Sequence, residues 1–215
     1  MNDQEIEIID SLNRSQKIKN FFKNNLKIIL TLILLILITI LGYFVFIEFQ
    51  EDKREKISNL YKNTIINFNE NNKNKTLSNL EDIIKKNDDT YSPLALYFII
   101  ENNLISSQDK VNEYFDKIIY DLSLNKTIKN LNIYKKALYN SDFQSGDELL
   151  KILDPLIKSE NTWRSHSLYL MAEYYFSKNQ KQKSKEFYEK IVKMEDANKD
   201  IKLEAQKRLQ RDFSD

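Results

Sequence analysis

His166 is the only histidine in this chain, and there is no cysteine. A zinc site built from His and Cys takes several such ligands from one chain, so this chain cannot form one. A hydrolytic triad would need His166 as its base. Neither a Gly-rich phosphate loop nor a nucleophile motif occurs. The adjacent carboxylates Asp88 and Asp89 fall in a polar segment, where they read as helix-ending loop residues and not as an acid–base couple. Trp163 and Arg164 stand at the start of a predicted helix. Trp163 is expected to seal the junction between two helical hairpins, a role worth about 3–5 kcal/mol for a fully buried indole. The chain therefore reads as no enzyme, with no cofactor and no metal. Recognition chemistry remains: Tyr61, Leu96, Tyr134 and Tyr169 recur at equivalent points of a helical repeat and are expected to line a partner-binding groove. Tyrosine suits such a surface because it joins contact area to a polar end. Packing between helices is an equal alternative use, since the chain has twelve tyrosines.

The elements that must position these residues are helices. Only two glycines and two prolines occur, and apolar residues recur at three- and four-residue steps. The spacing predicts helices over 49–70, 76–87, 93–105, 108–122, 127–140, 146–158, 162–177, 180–195 and 199–212. Breaks are expected at the Asn-, Asp- or Ser-rich segments 69–75, 87–92, 141–146 and 159–161.

Residues 28–47 differ from the rest. Twenty residues, nearly all Ile, Leu, Phe or Val, pass without a charge. As a helix the run is about 30 Å long, the thickness of a bilayer's hydrocarbon core. It is too long for the apolar region of a cleavable leader and ends without an Ala-x-Ala pattern, so it is expected to remain as an anchor. Arg14, Lys17, Lys19, Lys23 and Lys27 precede it, whereas Glu48, Glu51 and Asp52 follow, ahead of Lys53, Arg54 and Lys56. Basic residues beside the first span are retained in the cytoplasm. The expected order is a cytoplasmic tail over 1–27, a transmembrane signal anchor over 28–47, and a domain over 48–215 outside the cytoplasm. Phe21 and Phe22 on one side, and Tyr43, Phe44, Phe46 and Phe49 on the other, suit the membrane interfaces.

Charge excludes other partners. Thirty-three Lys and Arg balance thirty-two Asp and Glu, which gives no basic field for nucleic acid. Without cysteine, an exported domain must be held by its core, and lipid attachment through a thiol is ruled out.

The predicted helices pair, and the pairs repeat. Tyr188 and Ile191 have counterparts in Leu153/Leu156, Phe115/Ile118 and Leu80/Ile83, at steps of 35, 38 and 35 residues. First-helix positions follow in register as Leu168, Ile133, Ala95 and Leu60, then Ala172, Ala137, Ile99 and Thr64. The pattern resembles the tetratricopeptide repeat, in which a small residue such as Ala172 lets the second helix approach. Asn179 stands where that repeat usually has Gly, and Asp196 where it has Pro. The expected fold class is all-α: one N-terminal transmembrane helix, then a tetratricopeptide-repeat-like α-solenoid of four degenerate hairpins, closed by a capping helix over 199–212. In that cap Ile201, Ala205, Leu209 and Phe213 form the apolar stripe, and Glu204, Asp212 and Asp215 alternate with cations on the outer face.

The whole arrangement resembles the bacterial family of ancillary Sec-translocon subunits. The best local piece is Leu153-Asp154-Pro155-Leu156-Ile157, followed by Trp163-Arg164-Ser165-His166-Ser167 and Tyr169-Leu170-Met171-Ala172. The repeat helices depart from that family's usual Ala/Gly-rich composition, being rich in Ile, Tyr, Asn and Lys. The resemblance implies a protein of the bacterial inner membrane with its domain in the periplasm. It also implies a scaffold associated with the Sec channel, periplasmic chaperones and exported clients. Another envelope scaffold of the same build, serving cell-wall synthesis, division or a different secretion machine, is the alternative.

Overall fold

The computed structural model describes the backbone of residues 3–213 and the side chains of 16, 17, 19–21 and 23–213. The roles expected of the Arg14, Phe22 and Asp215 side chains lie outside the described residues. All the regular structure among the described residues is helical, and the chain divides into two compact units, Met1–Lys56 and Ile57–Asp215.

Helix α1 runs without a break from Asp3 to Ile66. The separate helix expected from residue 49 is thus the end of the same helix, since no Gly or Pro interrupts it there. In the first unit this is the one described helix long and apolar enough to cross a membrane. Its apolar side chains are uncovered all round, from Leu30 and Leu34 to Phe44 and Phe46. Such a surface is stable only where something apolar surrounds it, which lipid does. The two threonines within it direct their hydroxyls back into the helix: Thr31 Oγ1 donates to the Lys27 carbonyl at 2.9 Å and Thr39 Oγ1 to that of Leu35 at 2.8 Å. Neither hydroxyl is left unpaired.

In the second unit, residues 57–66 of α1 are followed by a 3-10 turn at Glu70–Asn72 and helices α2 (Lys73–Lys85), α3 (Tyr91–Glu101) and α4 (Gln108–Asp121). Then come α5 (Lys126–Asn140), α6 (Gly146–Ile157), α7 (Arg164–Ser177), α8 (Lys181–Lys193) and α9 (Lys199–Asp212). From α4 onward, every helix begins and ends within two residues of its predicted bounds. From α2 onward each helix packs on its successor, and α9 also reaches α7.

The register is visible in the burial. Leu80, Ile83, Phe115, Ile118, Leu153, Leu156, Tyr188 and Ile191 are all sealed in the core, as are Ala95, Ile99, Ala137 and Ala172. The 38-residue step has a local cause. With Ile133 matched to Ala95, α5 begins three residues earlier than α3 does, and Asn125 caps that added turn by accepting from the Ile128 N–H at 2.9 Å.

Asparagine takes the place of glycine at the helix ends. Asn87, Asn103 and Asn179 adopt φ of 55°, 49° and 58° after α2, α3 and α7. Asparagine tolerates this left-handed conformation better than other residues with a Cβ. After α7, Asn179 N–H donates to the Phe176 carbonyl and Gln180 N–H to that of Tyr175, each at 2.9 Å, so the last carbonyls are satisfied. Asp88 works at the next helix start, accepting from the N–H groups of Thr90 (2.9 Å) and Tyr91 (2.7 Å) through one carboxylate oxygen.

Candidate interaction surface

The four residues expected to line a groove divide into two kinds. Leu96 is 0 % exposed and belongs to the core, which corrects its placement in a groove. A helix turns about 100° per residue, and in α3 it is the next residue, Tyr97, that reaches outward. Its hydroxyl donates to Asn132 Oδ1 of α5 at 2.7 Å.

Tyr61, Tyr134 and Tyr169 are half-buried, and each ring rests on another aromatic. Tyr61 meets Tyr91 at 5.6 Å between ring centroids, Tyr134 stacks on Trp163 at 5.3 Å, and Tyr169 meets Tyr188 edge-on at 5.6 Å. The first two pairs are related by the repeat: a first-helix tyrosine packs on an aromatic at the start of the next first helix. Burial raises the pKa of both Tyr61 and Tyr134, and at Tyr61 the nearby Glu101 adds to the rise. Tyr169 is pushed up to about 12 by burial, with the Glu173 carboxylate next in weight. All three hydroxyls are thus held in the neutral form.

Trp163 occupies the N-cap of α7 and joins that helix to α5 through Tyr134. Asn161 Oδ1 accepts from its backbone N–H at 2.8 Å, and Arg164 Nε donates to the Ile157 carbonyl at 3.0 Å, tying the α6–α7 connection to α6. His166 completes the cluster, its ring 5.2 Å from that of Trp163 and 6.2 Å from that of Tyr134, with Nδ1 3.3 Å from the Thr162 carbonyl. Among the described residues no set of three His, Cys, Asp or Glu side chains could hold a metal ion.

A second surface lies between α3 and α5, and the reading of the sequence missed it. Here a cavity of about 330 Å³ is lined by Tyr97, Ile100, Phe115, Leu138, Tyr139 and Phe143, with Glu101, Lys135 and Asp142 among its polar residues. Leu138 and Phe143 remain 47 % and 52 % exposed. Phe143 in the polar turn Ser141-Asp142-Phe143-Gln144 was the signal available beforehand, because a large apolar ring in such a turn has no core to enter.

A family model described as a tetratricopeptide repeat-like domain matches residues 19–111. The match agrees with the hairpins and their buried register. The array is tetratricopeptide repeat-like. The matched stretch takes in the apolar span, the hairpin of α1 and α2, all of α3 and the start of α4. No curated protein and no solved structure matches the chain. Repeats of this kind are typically protein-interaction scaffolds and not enzymes.

Proposed function

We propose that this chain is a membrane-anchored, non-enzymatic scaffold of the bacterial inner membrane. In this reading the tail over 1–27 is cytoplasmic, the span over 28–47 is the anchor, and the domain over 48–215 stands in the periplasm. There it works beside the Sec channel, with periplasmic chaperones and exported clients as partners. The observation that carries the reading is the extent of the family match: it begins at residue 19, ahead of the apolar span, and continues to residue 111. The apolar span and the first of the repeats thus fall in one matched stretch. Anchoring raises the effective concentration of the domain near any membrane partner, so individually weak contacts suffice, as suits a protein that must release what it holds. The sequence resemblance to ancillary translocon subunits supplies the choice of partner.

The test is crosslinking in intact membranes with identification by mass spectrometry. The full-length protein is expected to capture the Sec channel and a periplasmic chaperone. Recovery of cell-wall or division proteins alone would move the scaffold to that machinery.

A further inference from the structure

We infer that the cleft between α3 and α5 receives a peptide segment carrying a basic side chain beside a large apolar one. The inference rests on the scaffold reading, since it names the chemistry of what the scaffold holds.

The apolar part of the argument is geometric. The two first helices approach less closely here than α7 and α9 do, and long side chains bridge them. Tyr97 reaches Asn132 at 2.7 Å, and Lys135 Nζ lies 4.1 Å from the centre of the Tyr97 ring. Beside that bridge the cavity stays open. Its wall is already organised, because the Tyr139 ring is held between Phe115 at 6.1 Å and Phe143 at 5.7 Å. A wall fixed in advance costs a ligand little ordering. Leu138 and Phe143 keep half their surface free beside it, enough to cover one large apolar side chain.

Charge selects the neighbour of that side chain. Glu101 is the last residue of α3, and Asp142 lies in the turn just after α5. Both are exposed, and neither is in an ion pair among the described residues. The C-terminal ends of α3 and α5 add partial negative charge at the same place. The one cation lining the cleft, Lys135, already rests on Tyr97. Two carboxylates against one ammonium still leave the rim with one net negative charge, so the neighbours of an apolar side chain in the cavity are favoured as Lys or Arg and disfavoured as Asp or Glu.

The experiment uses the full-length chain in lipid nanodiscs, with empty discs subtracted. Three fluorescent peptides are titrated by anisotropy: Lys-Lys-Phe-Leu-Ser-Leu, the same peptide with Glu in place of Lys, and the same with Ser in place of its apolar residues. The first should bind about tenfold more tightly than either of the others. Phe143→Ser and Leu138→Ser, both at exposed positions, should each weaken it severalfold while helicity stays unchanged. Glu101→Lys combined with Asp142→Lys should reverse the preference between the Lys and Glu peptides. Equal binding of all three peptides, or a preference untouched by the charge reversal, would overturn the assignment of the cleft. If those titrations fail while membrane crosslinking still recovers partners, the scaffold stands without this cleft. If the peptides behave as expected and crosslinking captures no protein, the cleft stands and the scaffold reading falls.

Discussion

Arg208 of α9 lays two parallel hydrogen bonds on the carboxylate of Glu173 in α7, Nε to Oε1 at 2.8 Å and Nη2 to Oε2 at 2.7 Å. The residues are 35 positions apart, which is also a repeat step. Asn198 and Ser165 join the same two helices at a separation of 33, the backbone N–H of Asn198 donating to Ser165 Oγ at 3.3 Å. Helix α9 thus stands where the first helix of a fifth hairpin would stand. The guanidinium also lies 4.4 Å from the Phe176 ring, and the Tyr188 hydroxyl donates to the same carboxylate. A planar fork suits this mixed site as a lysine would not.

Acid should loosen that cap. Burial works against the Glu173 charge, but hydrogen bonds from Arg208 and Tyr188 outweigh it and hold the carboxyl below its ordinary value of 4.5. A depressed carboxyl gives stability that is complete above pH 4.5 and is lost as the pH falls through its folded value. Glu173→Gln should therefore cost about 1–2 kcal/mol near neutrality, allowing for partial exposure, with the gap to wild type narrowing in acid. Denaturant unfolding across that range measures it; a gap that does not vary with pH would show that the ionised pair contributes nothing.

Ala172 tests the register. It is sealed at the contact between α7 and α8, so Ala172→Phe should destabilise the domain by about 1–3 kcal/mol through overpacking. Lys181→Ala, at an exposed position, should stay within about 0.5 kcal/mol of wild type. Indistinguishable denaturation midpoints for the two variants would remove Ala172 from the hairpin contact.

Gly146 is required for space and not for its backbone angle. A Cβ there would come within 2.8 Å of the Tyr175 hydroxyl and 3.0 Å of its ring carbons. Tyr175 is buried and stacked on Phe187 at 5.6 Å, so it has little room to retreat. Gly146→Ala should lower stability by about 1–2 kcal/mol, and adding Tyr175→Phe should recover part of that loss. A double-mutant cycle with no coupling would place the strain elsewhere.

Tyr134→Ala should uncover the lone indole. Tyr134 stacks on Trp163, so its loss is expected to shift the tryptophan emission to the red and to cost about 1–3 kcal/mol. Emission that stays blue would mean other groups shield Trp163. The combined replacement of Tyr61, Tyr134 and Tyr169 by Ala separates the two uses of these residues. Partner capture lost with helicity intact assigns them to recognition, whereas unfolding assigns them to packing.

Topology has a direct assay. Protease added to spheroplasts should digest the chain beyond about residue 48 and spare the tail, with the N-terminus uncleaved, as the basic flank before the span dictates. A protected C-terminal domain would reverse the orientation.

The sequence by itself determined the features that depend on local order. The uncharged run over 28–47 shows in composition, and the helices show in the spacing of apolar residues, because a helix repeats its face every 3.6 residues whatever surrounds it. The repeat register was equally legible, since Leu80, Phe115, Leu153 and Tyr188 must all enter one core. Three things needed the tertiary structure. Leu96 and Tyr97 differ by one position, and only the rotation of α3 against its neighbours decided which of them is buried. The pairing of Tyr61 with Tyr91 and of Tyr134 with Trp163 depends on how far one first helix stands from the next. The cleft between α3 and α5 is set by the gap between two backbones, and no spacing along one chain encodes that distance.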